Sequence, residues 1–191
     1  MSAVVVATLT DQDKRNILWD EHQIATVMLR FGRALDTGNW SAYHSCFTDP
    51  VNIDFKRMTG FDEVRVKAAD WTLFADQILS PTRRHHLYSN FDIDVHGDLA
   101  TACVYMLSRH WKSTDLGHTS NTQYGWYNVW FQRTGNEWKI RRIKHDFQWI
   151  EGNSSLLNMA DPELGKTMQR VFSQDNAKAA AAQLVIWQSE S

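Results

Sequence analysis

Apolar residues recur at helical spacing along the first third of the chain and at strand spacing through the middle. Thr10 can cap a helix start, with Asp13 three residues on. Ile17, Ile24, Met28, Phe31 and Leu35 then fall on one helical face. Asp36 follows, and Thr37-Gly38-Asn39 stops the helix. Asn39 or Ser41 can cap a second, shorter helix with Trp40, Tyr43 and Phe47 on one face. Asp49-Pro50 ends it, because proline disfavours helical geometry at the residue before it. Val51 to Phe55 alternates as a strand, and Thr59-Gly60 makes a turn. A third helix is predicted to carry Val64, Ala68, Trp71, Ala75 and Ile78 and to end at Ser80-Pro81.

The period then changes. Strand-like runs cover roughly 83–96, 99–112, 120–133 and 137–150. His96-Gly97-Asp98 and Thr134-Gly135-Asn136 are hairpin turns, and Asp115 to Ser120 reads as a longer loop. Helices followed by an antiparallel meander predict an α+β fold. A strongly bent sheet with three N-terminal helices across its concave face would close off a pocket. Asp161-Pro162-Glu163 starts a further helix, with Leu164, Met168, Val171 and Phe172 as its stripe. The Ala-rich run from Ala177 ends in Leu184-Val185-Ile186-Trp187, which must be covered by its own sheet or by a neighbouring subunit. The expected organisation is one domain over 1–152 and a C-terminal helical extension over 153–191.

Composition narrows the picture. Hydrophobic residues make up 43% and charged residues 22% of 191, and the net charge is -2, which describes a globular protein with a proper core. Arg83-Arg84 and Arg141-Arg142 are too short and isolated for a nucleic-acid footprint. The apolar run Ala3 to Leu9 lacks a basic leader, and no segment reaches the ~18 apolar residues of a membrane span, so a cytoplasmic protein is expected. Cys46 and Cys103 have no metal-ligand spacing and read as buried thiols. Nine Trp, nine Phe and five Tyr supply either an aromatic-rich core or a pocket for a flat apolar ligand.

The chemistry concentrates in Arg83-Arg84-His85-His86-Leu87-Tyr88-Ser89-Asn90. Side chains alternate across a strand, which places His86, Tyr88, Asn90 and Asp92 on one face and His85, Leu87, Phe91, Ile93 and Val95 mostly on the other. The adjacent histidines point apart and cannot share a metal. His86 sits among polar groups, as a pocket wall would present it, and suits a general base if a carboxylate fixes its tautomer. Asp36, leaving a helix with an apolar face, is the candidate carboxylate; it reads equally as a helix-ending residue bonded to its own turn.

The run Phe31-Gly32-Arg33-Ala34-Leu35-Asp36-Thr37-Gly38-Asn39-Trp40, the pattern Tyr43-x-x-x-Phe47-x-Asp49, His86-x-x-x-Asn90, Gly97-Asp98-x-Ala100 and Gly135-x-x-Trp138-x-Ile140 together resemble the SnoaL-like branch of the nuclear-transport-factor-2-like superfamily, over roughly residues 12–150. Its members include dehydratases acting on scytalone and bile acids, a hexachlorocyclohexane dehydrochlorinase and γ-formaldehyde lyases. The resemblance implies a cone-shaped α+β barrel, often a trimer, with neither metal nor organic cofactor, and a His–Asp dyad that abstracts a proton. The matching positions are His86 and Asp36. Such lyases often carry a Tyr or Lys five residues before the aspartate to help the leaving group; Phe31 stands there and cannot donate a proton.

The expected function is therefore a cofactor-independent lyase acting on a small hydrophobic, aromatic molecule, with water, halide or formaldehyde leaving. Phe31, Trp40, Tyr43, Phe55, Tyr88, Asn128 and Arg142 are the candidate substrate-binding residues. Tyr43, Tyr88, Asn128, Arg142 or His145 remain as acids, although His110 and His145 read better as ordinary strand histidines. The rivals are an isomerase, cyclase or epoxide hydrolase in which Asp54 or Asp92 joins Asp36, and a non-catalytic small subunit of a ring-hydroxylating dioxygenase. Expected partners are the substrate and further copies of the chain, a trimer ahead of a dimer, with no nucleic acid and no membrane.

Overall fold

The computed structural model describes residues 9–157 and 161–189, so most of the Ala3 to Leu9 run lies outside the described residues. Helix α1 (Asp11–Thr37) starts on the predicted capping box: the Asp13 N–H donates to the Thr10 hydroxyl and the Thr10 N–H donates to the Asp13 carboxylate. It ends at Gly38, whose φ of 68° is the left-handed geometry that glycine adopts without strain. Helix α2 (Trp40–Ser45) is capped by the Asn39 side chain and stops sooner than expected. Phe47 already belongs to strand β1 (Phe47–Asp54), pairing with Ile140. The β1 ladder is irregular between Phe47 and Asn52, around Pro50, which has no N–H to contribute.

The predicted third helix divides. A single turn, α3 (Lys56–Thr59), is followed by β2 (Val64–Val66) and then α4 (Ala68–Leu79). Val64 is thus a strand residue: Val64 and Val66 both point inward at period two, and the helical stripe begins only at Ala68. The four long strands are β3 (Arg83–His96), β4 (Leu99–Thr114), β5 (Gly117–Thr134) and β6 (Glu137–Gly152). The supposed loop at Asp115 to Ser120 is a tight turn, because β4 and β5 pair out to Thr114 and Gly117.

The six strands form one sheet in the order β2-β1-β6-β5-β4-β3, antiparallel throughout except for β1 against β6. The fold is the expected α+β cone, although the sheet is not hydrogen-bonded into a closed barrel. Helix α1 lies against β3, and α1 with α4 covers the concave face. The core between them is aromatic: Phe31 meets Tyr43 at 5.1 Å, Tyr127 at 5.8 Å and Phe47 at 6.0 Å between ring centroids. Cys46 is buried there, whereas Cys103 is only half-buried.

The C-terminal extension packs on this same body. Helix α5 (Pro162–Val171) buries Leu164 and Val171 beside α4, with Arg170 and Asp70 paired at 3.0 Å. Helix α6 (Gln174–Ser189) runs along β2, and its Trp187 lies under Arg65 and Arg141, so part of the apolar end is covered by its own sheet. Among the described residues no helix is long and apolar enough to cross a membrane.

Candidate active site

His86 and Asp36 meet. The His86 Nδ1 lies 2.7 Å from one Asp36 oxygen, and the His86 backbone N–H donates to the other at 3.1 Å. The local folding explains the contact. β3 is the last strand of the sheet, so its outer edge has no further strand to bond, and α1 delivers Asp36 to that edge just before Gly38 breaks the helix. Burial pushes the Asp36 carboxyl up, but the ring and backbone hydrogen bonds from His86, with the charges of His86 and His85, outweigh burial and hold it below its ordinary value. A carboxylate can only accept, so Nδ1 carries the proton and the Nε2 lone pair is left for other work.

His86 lines a cavity of about 60 Å³ enclosed between α1, α4 and the sheet. Phe31, Tyr43, Phe55, Trp71, Phe74 and Tyr127 form its aromatic walls. Met58, Leu79 and Leu157 are partly exposed and make the rim; a ring-sized ligand must displace these flexible side chains to enter. Across the sheet the inner face carries a polar row, His86 paired with Ser108 and Ser108 with Gln123, with His110 one step along. The His86 and His110 rings stand edge to face at 5.6 Å. Burial, with the charges of His86 and Arg84, pushes His110 down to about 4. Burial, with His86, pushes His145 down to about 3, so both are neutral imidazoles near neutral pH. Burial likewise raises Tyr43, Tyr88 and Tyr127 well above the ordinary phenol range, so these hydroxyls stay protonated.

The other expected residues scatter. Phe31, Tyr43 and Phe55 line the cavity. Tyr88 is partly buried outside the cavity lining, 6.3 Å from Phe31 and 6.0 Å from Tyr127. Trp40 lies outside the cavity, beneath the Arg84 guanidinium at 5.6 Å. Asn128 and Arg142, expected on the wall, are on the convex face. Asn128 pairs in register with Cys103 while its neighbours Tyr127 and Val129 take the inside. Arg142 grips Glu63 through two hydrogen bonds, 2.9 and 2.8 Å, and lies over Trp130. A β-bulge between Ser89 and Asp92, with Asn90 at φ 48°, reverses the faces of β3: Phe91, Ile93 and Val95 pack on the core, and Asp92 points outward. His110 and His145, read from sequence as ordinary strand histidines, are both on the cavity wall. Ser108 and Gln123 join the wall by parity: the inward alternation Ala100, Ala102, Val104, Met106 continues to Ser108 and His110, and in β5 Gln123 shares the odd-numbered inward set with Tyr127 and Val129. Among the described residues no group of three or more His, Cys, Asp or Glu is placed to hold a metal ion.

Several solved structures share this architecture. A protein from Kribbella flavida is 22% identical over 73% of this chain and 97% of its own, with a TM-score of 0.69. A protein provisionally classed as a scytalone dehydratase, from Novosphingobium aromaticivorans, is 16% identical over 73% of this chain and 91% of its own, with a TM-score of 0.63. A type-3 hexachlorocyclohexane dehydrochlorinase from Novosphingobium barchaimii is 13% identical over 75% of this chain and 97% of its own, with a TM-score of 0.60. At these identities the likeness establishes the fold. No curated protein matches significantly. The SnoaL-like domain model matches residues 16–144, well over half of the sequence, and the chain therefore belongs to the SnoaL-like domain family.

Proposed function

We propose that the protein is a cofactor-independent lyase for a small hydrophobic, aromatic molecule, in which His86 held by Asp36 removes a proton and water, halide or formaldehyde leaves. The observation that carries this reading is the double grip of one carboxylate on the ring and backbone of a single cavity-lining histidine. Asp36 holds the Nδ1 proton, which directs the Nε2 lone pair to the substrate C–H. As Nε2 takes the proton, the C–H electron pair forms the new double bond and expels the leaving group. The carboxylate stabilises the imidazolium that results. General base catalysis of this kind contributes roughly 10²–10⁴-fold, and orientation within dry walls supplies the remainder.

Phe31 gives the leaving group no proton. Tyr43, Tyr127 and neutral His110 are among the hydroxyl and N–H groups on the wall that can hydrogen-bond it, and a phenolic substrate can expel it by its own electron push. The isomerase and epoxide-hydrolase alternatives draw on Asp54 or Asp92; neither lies on the cavity wall, which favours elimination. The test is a folded His86→Ala variant assayed by product mass: turnover with loss of a fragment should fall by roughly 10²-fold or more. Unchanged turnover would remove His86 from the reaction, and a product of unchanged mass would make the enzyme an isomerase.

A further inference from the structure

His145 takes no part in the proton transfer proposed above, yet its placement costs stability. It sits on β6 in register with Tyr127, and its ring stacks on Phe55 at 4.9 Å and 15°. It is 2% exposed, and its Nδ1 has no hydrogen-bond partner among the described residues. A buried polar atom without a partner is unfavourable, and Phe or Leu would fill the same space between Phe55, Tyr127 and Phe147 without that cost. The cavity wall also carries the neutral polar groups of Ser108, Gln123, His110, Tyr43 and Tyr127, and among the described residues it carries no carboxylate, lysine or arginine. An ionic ligand group would find no counter-charge there. Three inter-strand steps, roughly 14 Å on a flat sheet, separate β6 from β3, and the two histidines face one cavity across the curved sheet, a span suited to a fused-ring molecule.

We infer that His145 is a specificity residue that hydrogen-bonds an uncharged oxygen, a phenolic hydroxyl or a ketone, on a flat ligand whose reacting carbon lies at His86. The inference rests on reading the cavity as a small-molecule site and adds the class of molecule. A neutral imidazole offers one donor and one acceptor, so it serves either oxygen function and gives a carboxylate no charge partner.

The experiment is equilibrium binding of 2-naphthol and naphthalene to the full chain, as wild type, His145→Phe and His145→Gln. Phenylalanine keeps the stacking on Phe55 and removes both nitrogens; glutamine restores a donor and an acceptor. Wild type should bind 2-naphthol about tenfold more tightly than naphthalene, the scale of one net hydrogen bond. His145→Phe should bring that ratio near one by weakening the naphthol while leaving naphthalene unchanged, and His145→Gln should restore most of it. The His145 ring nitrogens should shift in the wild-type ¹⁵N spectrum with 2-naphthol and not with naphthalene. If both probes bind and the ratio is the same in wild type and His145→Phe, the role of His145 is overturned while the cavity stands. If neither probe binds wild type, the small-molecule reading falls and this inference with it.

Discussion

His86 and His145 line one cavity, the His86 side chain only 3% exposed and His145 buried, yet their surroundings differ in kind. His86 has a carboxylate on its Nδ1; His145 has aromatic rings around it and an Nδ1 without a partner. The carboxylate decides what a buried imidazole becomes. Beside Asp36 a positive charge on the ring is compensated, so the ring can accept a proton and return it. Between Phe55 and Tyr127 a positive charge is penalised by desolvation, and the ring remains a neutral dipole.

The contrast breaks most sharply at Asp36. Asp36→Asn preserves size but removes the charge and the obligatory acceptor, so turnover should fall roughly 10²–10⁴-fold with the circular dichroism unchanged. Retained turnover would show that His86 needs no carboxylate and that the two histidines are equivalent. Acid comes next. His110 and His145 have folded pKa values of about 4 and about 3, below the ordinary 6.5. Below pH 6.5 the unfolded chain therefore binds two protons that the folded chain refuses. Stability should be level above that pH and fall beneath it, by up to about 2.7 kcal/mol per pH unit while both sites are titrating only in the unfolded state. Asp36, also depressed when folded, adds its loss only below its unfolded value of 3.8. Urea unfolding from pH 7 to 5 measures the slope, and His145→Phe should remove about half of it. A level profile would mean that the folded chain admits these protons. The smallest effect belongs to the convex face: Asn128→Ala should leave turnover within about twofold, the scale of a surface substitution.

The sequence was most legible where one parity held along a strand. Arg84, His86 and Tyr88 keep a single alternation, and it aimed His86 correctly. The alternation also stands plainly in β4 and β5, where Ser108 and His110 continue an inward row and Tyr127, Val129 and Phe131 place Asn128 outside. Parity failed at two bulges. In β3 the inward set moves from even to odd numbers across Asn90, and in β6 the inward residues Ile140 and Ile143 are three apart, at the register shift opposite Trp130 and Phe131. A bulge inserts one residue without any change of composition, so a strict count of two sends Asp92 inward and leaves Arg142 and His145 undecided. The meeting of Asp36 with His86 was beyond periodicity, because it depends on how a 27-residue helix seats on the sheet edge.

That seating is set by a missing methyl group. A Cβ on Gly32 would stand 2.6 Å from the Tyr88 ring, so with any other residue here the ring or the helix would have to shift. Asp36 is one helical turn further along the same side, and His86 is one same-face step from Tyr88 along the strand. Gly32 and Tyr88 thus act as a spacer: their close contact lets helix and strand approach on the side where Asp36 reaches His86. The chemical pairing is supported by a steric contact that shares no atom with it.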